Sequence, residues 1–539
     1  GLIYESYYDK ESKGWETWAA TDLHRELEQQ SDHSGRWPLS SSYIPTIESL
    51  SLRHILLRCV RAGVPTMVHG PSGSGRSAAV IWSLRSCEDP QPQQIKLTPN
   101  STTATLYSEL QRKLEKQPRG VMGPKPGMKA LMVLDDVSAP TPGKRGTRHI
   151  LEMCHSLLHL KSWKCRSEDQ NVSLKDTSFL LVNSNNVIPS ARLSRGYVSL
   201  LLNELNGLSV QRIFKMVLTN RYPSLEQGIM GIVMTLIDIV PELMDLMKPS
   251  DAHPFFTFSL HGLMESLAGV YLGEPSTDAM LCSLWEHEIL RSFLDRAPFY
   301  QARMEIAVLI ERAAKKHFPF EAKRKLLTSA LISNGSNAFV ESSMNVYAKF
   351  PQGKYELISL AEAGDVIYSL LPPTLTRRSF PFATATVLKI MRAMSLSSRK
   401  PLVLVGPEGV GKSYLTQAAS ALLSAEFVAV SSRDWQSQLQ KVQKECILQG
   451  REAVLYFQYD SGFTPALWEA LEYISITGAW LSGFTKEDMS EFVRFISNNL
   501  PAKDGTSNFV LGSSSELEQI LQNYCQQRLF VVVALGEES

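Results

Sequence analysis
At 539 residues, 44% hydrophobic and 20% charged, the chain is long enough for about three to four compact units with large buried cores. Its 55 Lys and Arg balance 54 Asp and Glu, so no net field favours nucleic acid or an anionic membrane, and neither is expected as a partner. Seven dispersed Cys, at positions 59, 87, 154, 165, 282, 446 and 525 with no C-x-x-C pair, read as reduced thiols and exclude a disulfide framework or a zinc site.

In chain order, residues 1–42 are polar with several Trp and Tyr and read as an extension lying on a domain. Residues 43–204 alternate strand and helix: helix at about 49–62, strand 65–69, a Gly-rich loop, helix 77–84, strand 95–97, helix 102–116, acidic strand 130–136, helix 146–160 and strand 178–182. The Gly/Pro/Lys stretch 117–129 is expected to be a solvated loop. Residues 205–330 turn all-helical; their apolar run 229–240 reads as a buried helix ended by Pro241, too short to span a bilayer. A connecting segment, 331–384, follows. Residues 385–539 repeat the alternation, with helix 385–395, strand 402–405, helix 412–423, strand 427–430, helix 434–448, strand 453–460, helices 465–476 and 486–498 and strand 529–535, and stop before a helical annex could follow. The chain opens at Gly1 and reads as a fragment of a longer polypeptide. Strands alternating with helices predict parallel sheets covered on both faces.

Two Gly-rich loops sit between strand and helix. The second, Gly406-Pro407-Glu408-Gly409-Val410-Gly411-Lys412-Ser413, is a complete G-x-x-x-x-G-K-[ST] phosphate loop. The first, Gly70-Pro71-Ser72-Gly73-Ser74-Gly75-Arg76-Ser77, has Arg where Lys belongs. The glycines let backbone N–H groups turn toward nucleotide phosphates, the helix N-terminus adds partial positive charge, Lys adds a full charge, and Ser holds Mg²⁺. ATP or ADP with Mg²⁺ is therefore the expected cofactor. Such a site also needs an apolar strand ending in carboxylates, one beside Mg²⁺ and one positioning the attacking water. Leu131-Met132-Val133-Leu134-Asp135-Asp136 supplies both in the first repeat: Ser77 and Asp135 toward the metal, Asp136 as the base, one methylene shorter than the usual Glu. In the second, Val454-Leu455-Tyr456-Phe457-Gln458-Tyr459-Asp460-Ser461 leaves Ser413 and Asp460 toward the metal, Ser461 at the base position, and a register open to a one-residue slip. The first repeat keeps its carboxylates without its Lys; the second keeps Lys412 without a base.

The chain resembles the AAA+ ring of a dynein heavy chain, specifically the third module and the front of the fourth. The resemblance covers nearly the whole length: the opening with Trp15 and Trp18, the Ile44-Pro45-Thr46 turn, Gly120-Val121-Met122-Gly123-Pro124, Leu134-Asp135-Asp136-Val137-Ser138-Ala139-Pro140, the string from Leu284 to Arg296 containing Trp285-Glu286-His287-Glu288, and Leu481-Ser482-Gly483-Phe484. It implies tandem α/β AAA+ P-loop modules, each a parallel sheet sandwiched by helices, with a helical lid after the first. It also implies an arginine finger at Arg192 or Arg195 serving a preceding module, and a polar sensor among Asn183 to Asn186. His261 falls where the lid normally carries a sensor Arg, and Gly536 near the second sensor. Arg76, Asp136, His261, Ser461 and Gly536 each depart from a hydrolytic pattern, which is similar to a divergent heavy chain with weak or no turnover. The family further implies neighbouring modules of the same heavy chain, intermediate and light chains and microtubules reached through other regions, and a cytoskeletal place in a cilium or sperm flagellum. Two rival readings are a structural ciliary assembly protein with degenerate sites and an AAA+ remodelling ATPase unrelated to dynein. A metal reading of His287 and Glu288 fails, because position 291 is Arg and no H-E-x-x-H exists.

Overall fold
The computed structural model describes residues 6–9, 13–17, 43–71, 73–85, 87, 90–118, 120–143, 146–164, 171–184, 191–203, 206–248, 256–297, 299–318, 345–350, 353–373, 375, 381–396, 400–460, 462–481, 484–499 and 514–536. The chain divides into two compact units, Gly1–Gly262 and Leu263–Ser539. The division falls inside the all-helical segment.

The first unit opens with an antiparallel hairpin, β1 (Ser6–Asp9) and β2 (Gly14–Thr17), in which the Tyr7 hydroxyl donates to Glu16 Oε2 at 2.9 Å. Helix α1 (Ile47–Arg61) begins at Thr46, whose side chain and that of Ser49 cap each other's backbone N–H. There follow β3 (Thr66–Gly70), α2 (Arg76–Leu84), β4 (Gln91–Lys96), α3 (Thr103–Lys113), β5 (Glu115–Gln117), β6 (Val121–Gly123), β7 (Ala130–Asp135) and α4 (His149–His155), which runs into a π-turn at Ser156–Leu160. The unit continues with β8 (Ser162–Lys164), β9 (Asn171–Leu174), β10 (Thr177–Ser184), α5 (Ala191–Ser194) and β11 (Val198–Leu201).

The main sheet has the order β11-β3-β10-β7-β4, with every pair parallel. Period-two alternation sends Val68, Leu131, Val133, Leu180 and Val182 to one face, against Leu52 and Leu56 of α1 and Val80 and Leu84 of α2. Met67, Met132, Leu134, Phe179 and Leu181 pack on the other, against Leu106 and Leu110 of α3 and Ile150 and Cys154 of α4. Both faces are thus apolar, which a covered parallel sheet requires. A second sheet, β5-β6-β9-β8, includes part of the 117–129 stretch expected to be a loop. Its strands are three or four residues long, too short for an alternating pattern to register.

Two long helices complete the first unit, α6 (Gly207–Arg221) and α7 (Glu226–Leu246). Asn206 caps α6, and Ser209 donates to Glu48 Oε2 at 2.9 Å, tying α6 to the first turn of α1. Helix α7 does not stop at Pro241 as expected; it continues another turn and buries Leu243 completely. The carbonyl released by the proline belongs to Ile237, which is partly exposed, so water can satisfy it.

The division lies within α8 (Leu260–Val270). The second unit adds α9 (Asp278–Leu294), α10 (Tyr300–His317), the antiparallel pair β12 (Asn345–Ala348) and β13 (Glu356–Ser359), α11 (Leu360–Leu370) and α12 (Pro381–Ser395). Its α/β part comprises β14 (Leu402–Val405), α13 (Lys412–Leu422), β15 (Glu426–Val430), α14 (Trp435–Gln449), β16 (Ala453–Gln458), α15 (Pro465–Thr477), α16 (Lys486–Asn499), α17 (Ser514–Gln526) and β17 (Leu529–Leu535). The sheet order is β14-β17-β16-β15, again all parallel. It matches β3-β10-β7-β4 of the first unit strand for strand.

The helical part of the second unit is held by a buried ion cluster. Glu288 on α9 is completely buried; its Oε2 receives Arg392 Nε at 2.7 Å and lies 2.5 Å from Arg392 Nη2, while Oε1 receives the Tyr355 hydroxyl at 2.5 Å and His287 Nδ1 at 3.1 Å. Beside it, Asp295 Oδ1 accepts from Lys389 at 2.9 Å and Arg291 at 3.3 Å. Residues 287 and 288 are thus a helix staple joining α9, α12 and the loop before β13. Among the described residues no group of three or more His, Cys, Asp or Glu is placed to hold a metal. Burial alone would raise the Glu288 carboxyl, but Arg392 and the His287 hydrogen bond overcome it and hold the group at about 2. Because the folded value lies below the ordinary 4.5, this stabilisation is complete above about pH 4.5 and is lost as pH falls toward about 2. Glu288→Gln should therefore flatten the acid limb of a urea-denaturation series between those pH values, and an unchanged acid limb would refute the assignment. Arg392→Met, which strands the carboxylate, should cost on the order of 3–5 kcal/mol at neutral pH in the same assay.

Candidate functional site
In the first unit the Gly-rich loop joins the end of β3 to the start of α2, at the carboxyl edge of the sheet where parallel topology gathers strand ends. Gly73 and Gly75 both adopt φ of +80°, left-handed backbone that an L side chain would strain. Gly75 is the N-cap of α2, and Ser74 Oγ closes the loop on the Pro71 carbonyl at 3.0 Å. Ser72 lies outside the described residues. Behind the loop, Ser77 Oγ donates to Asp135 Oδ1 at 2.7 Å, and Gln94 Nε2 donates to Oδ2 at 3.0 Å. The fold thus brings together Ser77 and Asp135, the pair expected at the metal.

Asp136 leaves the strand at φ +56°, a conformation rare for a non-glycine residue. Its side chain is half exposed, and its Oδ1 lies 3.7 Å from Arg76 Nη2. Burial raises the Asp136 carboxyl and Asp135 adds to the rise, while Arg76 and Lys96 oppose it. Arg76 itself is only 7% exposed and donates through Nη1 to the Asn183 carbonyl on β10. Asn183, one of the sensor candidates, is fully buried with its amide 3.3 Å from His69 Nδ1; Asn185 and Asn186 lie outside the described residues. Burial and the nearby Arg76 depress His69, so it is neutral at pH 7. The segment aligned with the lid sensor reaches the loop through Ser259, whose Cβ lies 3.1 Å from where a Cβ on Gly73 would stand; His261 is exposed.

The second loop is built the same way and is open. Gly409 and Gly411 have φ of +81° and +86°, and Gly411 caps α13. Pro407, Glu408, Gly409, Val410 and Ser413 are exposed. Lys412 Nζ donates to the carbonyls of Gly406 at 2.6 Å and Pro407 at 2.8 Å, which keeps the ammonium at the loop mouth.

Sheet register settles the open alignment of the second acidic strand. Leu134 pairs with Ile95 and Leu181, and Phe457 pairs correspondingly with Val430 and Val533. Gln458 therefore occupies the position of Asp135, and Tyr459 follows as Asp136 does. Asp460, expected toward the metal, lies beyond the strand: its Oδ2 accepts from Ser432 at 3.1 Å and its Oδ1 from the Gly462 N–H at 2.8 Å, so it closes a turn instead. Ser461 lies outside the described residues. Leu535 pairs with Val405 as Asn183 pairs with His69, so the second sensor position carries Leu535, and Gly536 stands one residue later. Counting both strands from their opening residues, Ala130 and Ala453, would have revealed Gln458; the attraction of a carboxylate at the strand end hid it.

Residues 32–204 match the family model described as P-loop containing dynein motor region, and residues 379–538 match P-loop containing dynein motor region D4. The chain belongs to the dynein heavy chain family. Among its relatives, dynein axonemal heavy chain 12 of Rattus norvegicus is 22% identical over 457 residues, covering 78% of this chain and 14% of the relative. Dynein axonemal heavy chain 3 of Homo sapiens is 20% identical over 479 residues, covering 82% and 11%. The dynein alpha chain, flagellar outer arm, of Chlamydomonas reinhardtii is 23% identical over 519 residues, covering 92% and 11%. The dynein segment thus spans about one-seventh or less of these relatives, as the coverage of 14% and 11% shows. Membership removes the reading as an unrelated remodelling ATPase. In this dynein segment the two candidate finger residues are both exposed; Arg192, on α5, lies 3.8 Å from Glu152 Oε2, and Arg195 follows the helix.

If Asp460 only closes a turn, Asp460→Ala should leave nucleotide affinity and its Mg²⁺ dependence at the second loop within about twofold of wild type. Isothermal titration with and without Mg²⁺ would measure this, and a large Mg²⁺-dependent loss would restore Asp460 as a ligand.

Proposed function
We propose that this segment is a regulatory or structural part of the motor ring of an axonemal dynein-type heavy chain, binding ATP or ADP at the Lys412 loop with weak or no hydrolysis. The observation that supports it is the combination at the second site: an open loop with an intact Lys and left-handed glycines, beside a strand that presents Gln458 and Tyr459 where carboxylates belong. Lys412 and the backbone N–H groups of the 409–413 turn would hold the phosphates, and Ser413 would ligate Mg²⁺. Bound nucleotide supplies an anhydride bond whose cleavage needs an oriented, deprotonating water. An amide and a phenol offer no carboxylate for that proton, and Leu535 offers no polar contact from the sensor position. Binding without turnover leaves a ligand that stabilises one conformation of the module, coupling it to other modules of the heavy chain.

On this reading Arg192 or Arg195 serves the nucleotide of a preceding module. The relatives' names, axonemal and flagellar dynein chains, support a place in the axoneme of a cilium or flagellum, where microtubules and the intermediate and light chains would be met through other parts of the heavy chain. The position of residues 32–204 ahead of the D4 match supports their reading as the third module.

Fluorescent-nucleotide titration tests the proposal directly. The wild-type chain should bind, Lys412→Ala should lose at least about tenfold in affinity, and phosphate release should stay near background in both. Equal affinity in the two proteins, or steady phosphate release from the wild type abolished by Asp136→Ala, would overturn it.

A further inference from the structure
We propose that Arg76 is a built-in occupant of the first loop, a specificity residue that excludes nucleotide there and holds the first module in one fixed arrangement. The geometry of its side chain carries the argument. Arg76 is the first residue of α2, a position where a long cation ordinarily reaches into solvent, yet it is 7% exposed. Its aliphatic stem folds back over the start of the loop: Cγ and Cδ lie 2.9 and 2.8 Å from where a Cβ on Gly70 would stand, with the Leu202 carbonyl oxygen 2.6 Å from the same point. Only glycine at position 70 leaves room for it.

The guanidinium then engages two elements behind the loop. One terminal nitrogen donates to the Asn183 carbonyl on the central strand β10; the other faces Asp136 at 3.7 Å, just past the end of β7. The planar fork reaches the two partners through separate terminal nitrogens, a spread that the single nitrogen of an ammonium lacks. Arginine often pairs with phosphate, but here the fork is engaged by the Asn183 carbonyl and by Asp136. The carboxylate groups are also committed: Asp135 accepts from Ser77 and Gln94, and Asp136 faces Arg76. One fixed cation beside two carboxylates replaces the cation–phosphate–metal arrangement that the site would otherwise assemble. Ser259 packs against Gly73 from the other side of the loop.

The second loop is the internal control. Lys412 occupies the homologous position, but its Nζ stays with the carbonyls of its own loop, and that loop remains exposed. The two residues therefore differ in where they carry their charge: Lys412 at the mouth, Arg76 against the sheet.

The test uses the full chain in the Lys412→Ala background, so that binding at the first loop is read alone. A fluorescent ATP analogue with Mg²⁺ should not bind Lys412→Ala at about 1 mM, whereas Arg76→Lys/Lys412→Ala should bind at least about tenfold more tightly than that limit. Circular dichroism establishes that the double variant is folded. Binding by Lys412→Ala that slows exchange across residues 73–80, or no gain in a folded double variant, would overturn the proposal. A second measurement needs no variant: in the wild-type chain, amide hydrogen exchange across residues 73–80 should be already slow and unchanged by Mg²⁺-ATP. Protection of that stretch by nucleotide would overturn the proposal whether or not the second loop binds.

Discussion

The parallel pairing of loop strand, central strand and acidic strand is the constraint on which both sites depend. In each unit one strand, β10 or β17, lies between the strand that ends in the phosphate loop and the strand that ends near the carboxylates. Parallel registry brings all three carboxyl ends to one edge, and the central strand sets their relative height. A shift of one residue would turn every side chain to the opposite face and empty the apolar layers. The buried rows Met67, Met132 and Leu181 on one face and Val68, Val133 and Leu180 on the other forbid that shift, and so fix Asp135 beside Ser77. The same rule, applied to β16 and β17, leaves Gln458 and Leu535 at the second site. What the sites share is strand order and register; they differ in side-chain chemistry and in the left-handed turn at Asp136.

Much of this was readable from residue order. The loops, the strands flanking them and the final strand follow directly from Gly spacing and apolar runs, because covered parallel strands are short and almost purely hydrophobic. Three kinds of feature were hidden. Short strands such as β6 carry too few residues to show a period, so the small sheet of the first unit looked like a loop. Register at the end of β16 depends on pairing across the sheet, which linear spacing does not contain; Asp460 attracted a metal role, whereas its side chain closes a turn past the strand. Pro241 misled in the opposite sense, since burial of Leu243 carries α7 past a residue that normally ends a helix. The inward fold of Arg76 was also invisible, because it depends on the space above Gly70 and the carbonyl of Asn183, more than a hundred residues away.

The two sites divide a set of tasks usually held together. The first retains carboxylates and a polar residue, Asn183, on the central strand but ties them up internally; the second retains an open cradle for phosphate but lacks the groups that activate water. For a member of a motor family this separates sensing from turnover. A module that binds without hydrolysing contributes only the difference in nucleotide affinity between its conformations, and a module that is internally occupied contributes stiffness. On the proposed reading neither is a source of work, and force generation would fall to other parts of the heavy chain; the segment spans 14% and 11% of two of its relatives.

The cluster around Glu288 has a consequence for how this sequence can drift. A Cβ on Gly269 would stand 1.7 Å from Glu288 Oε2, so no larger residue fits at 269 while the carboxylate stays where Arg392 and Tyr355 hold it. Shortening residue 288 would free that space but leave the Arg392 guanidinium buried without its counter-charge. Positions 269, 288 and 392 are therefore bound into one inherited unit: each is intolerant of single replacement, and lineages that alter one should be found to have altered the others with it.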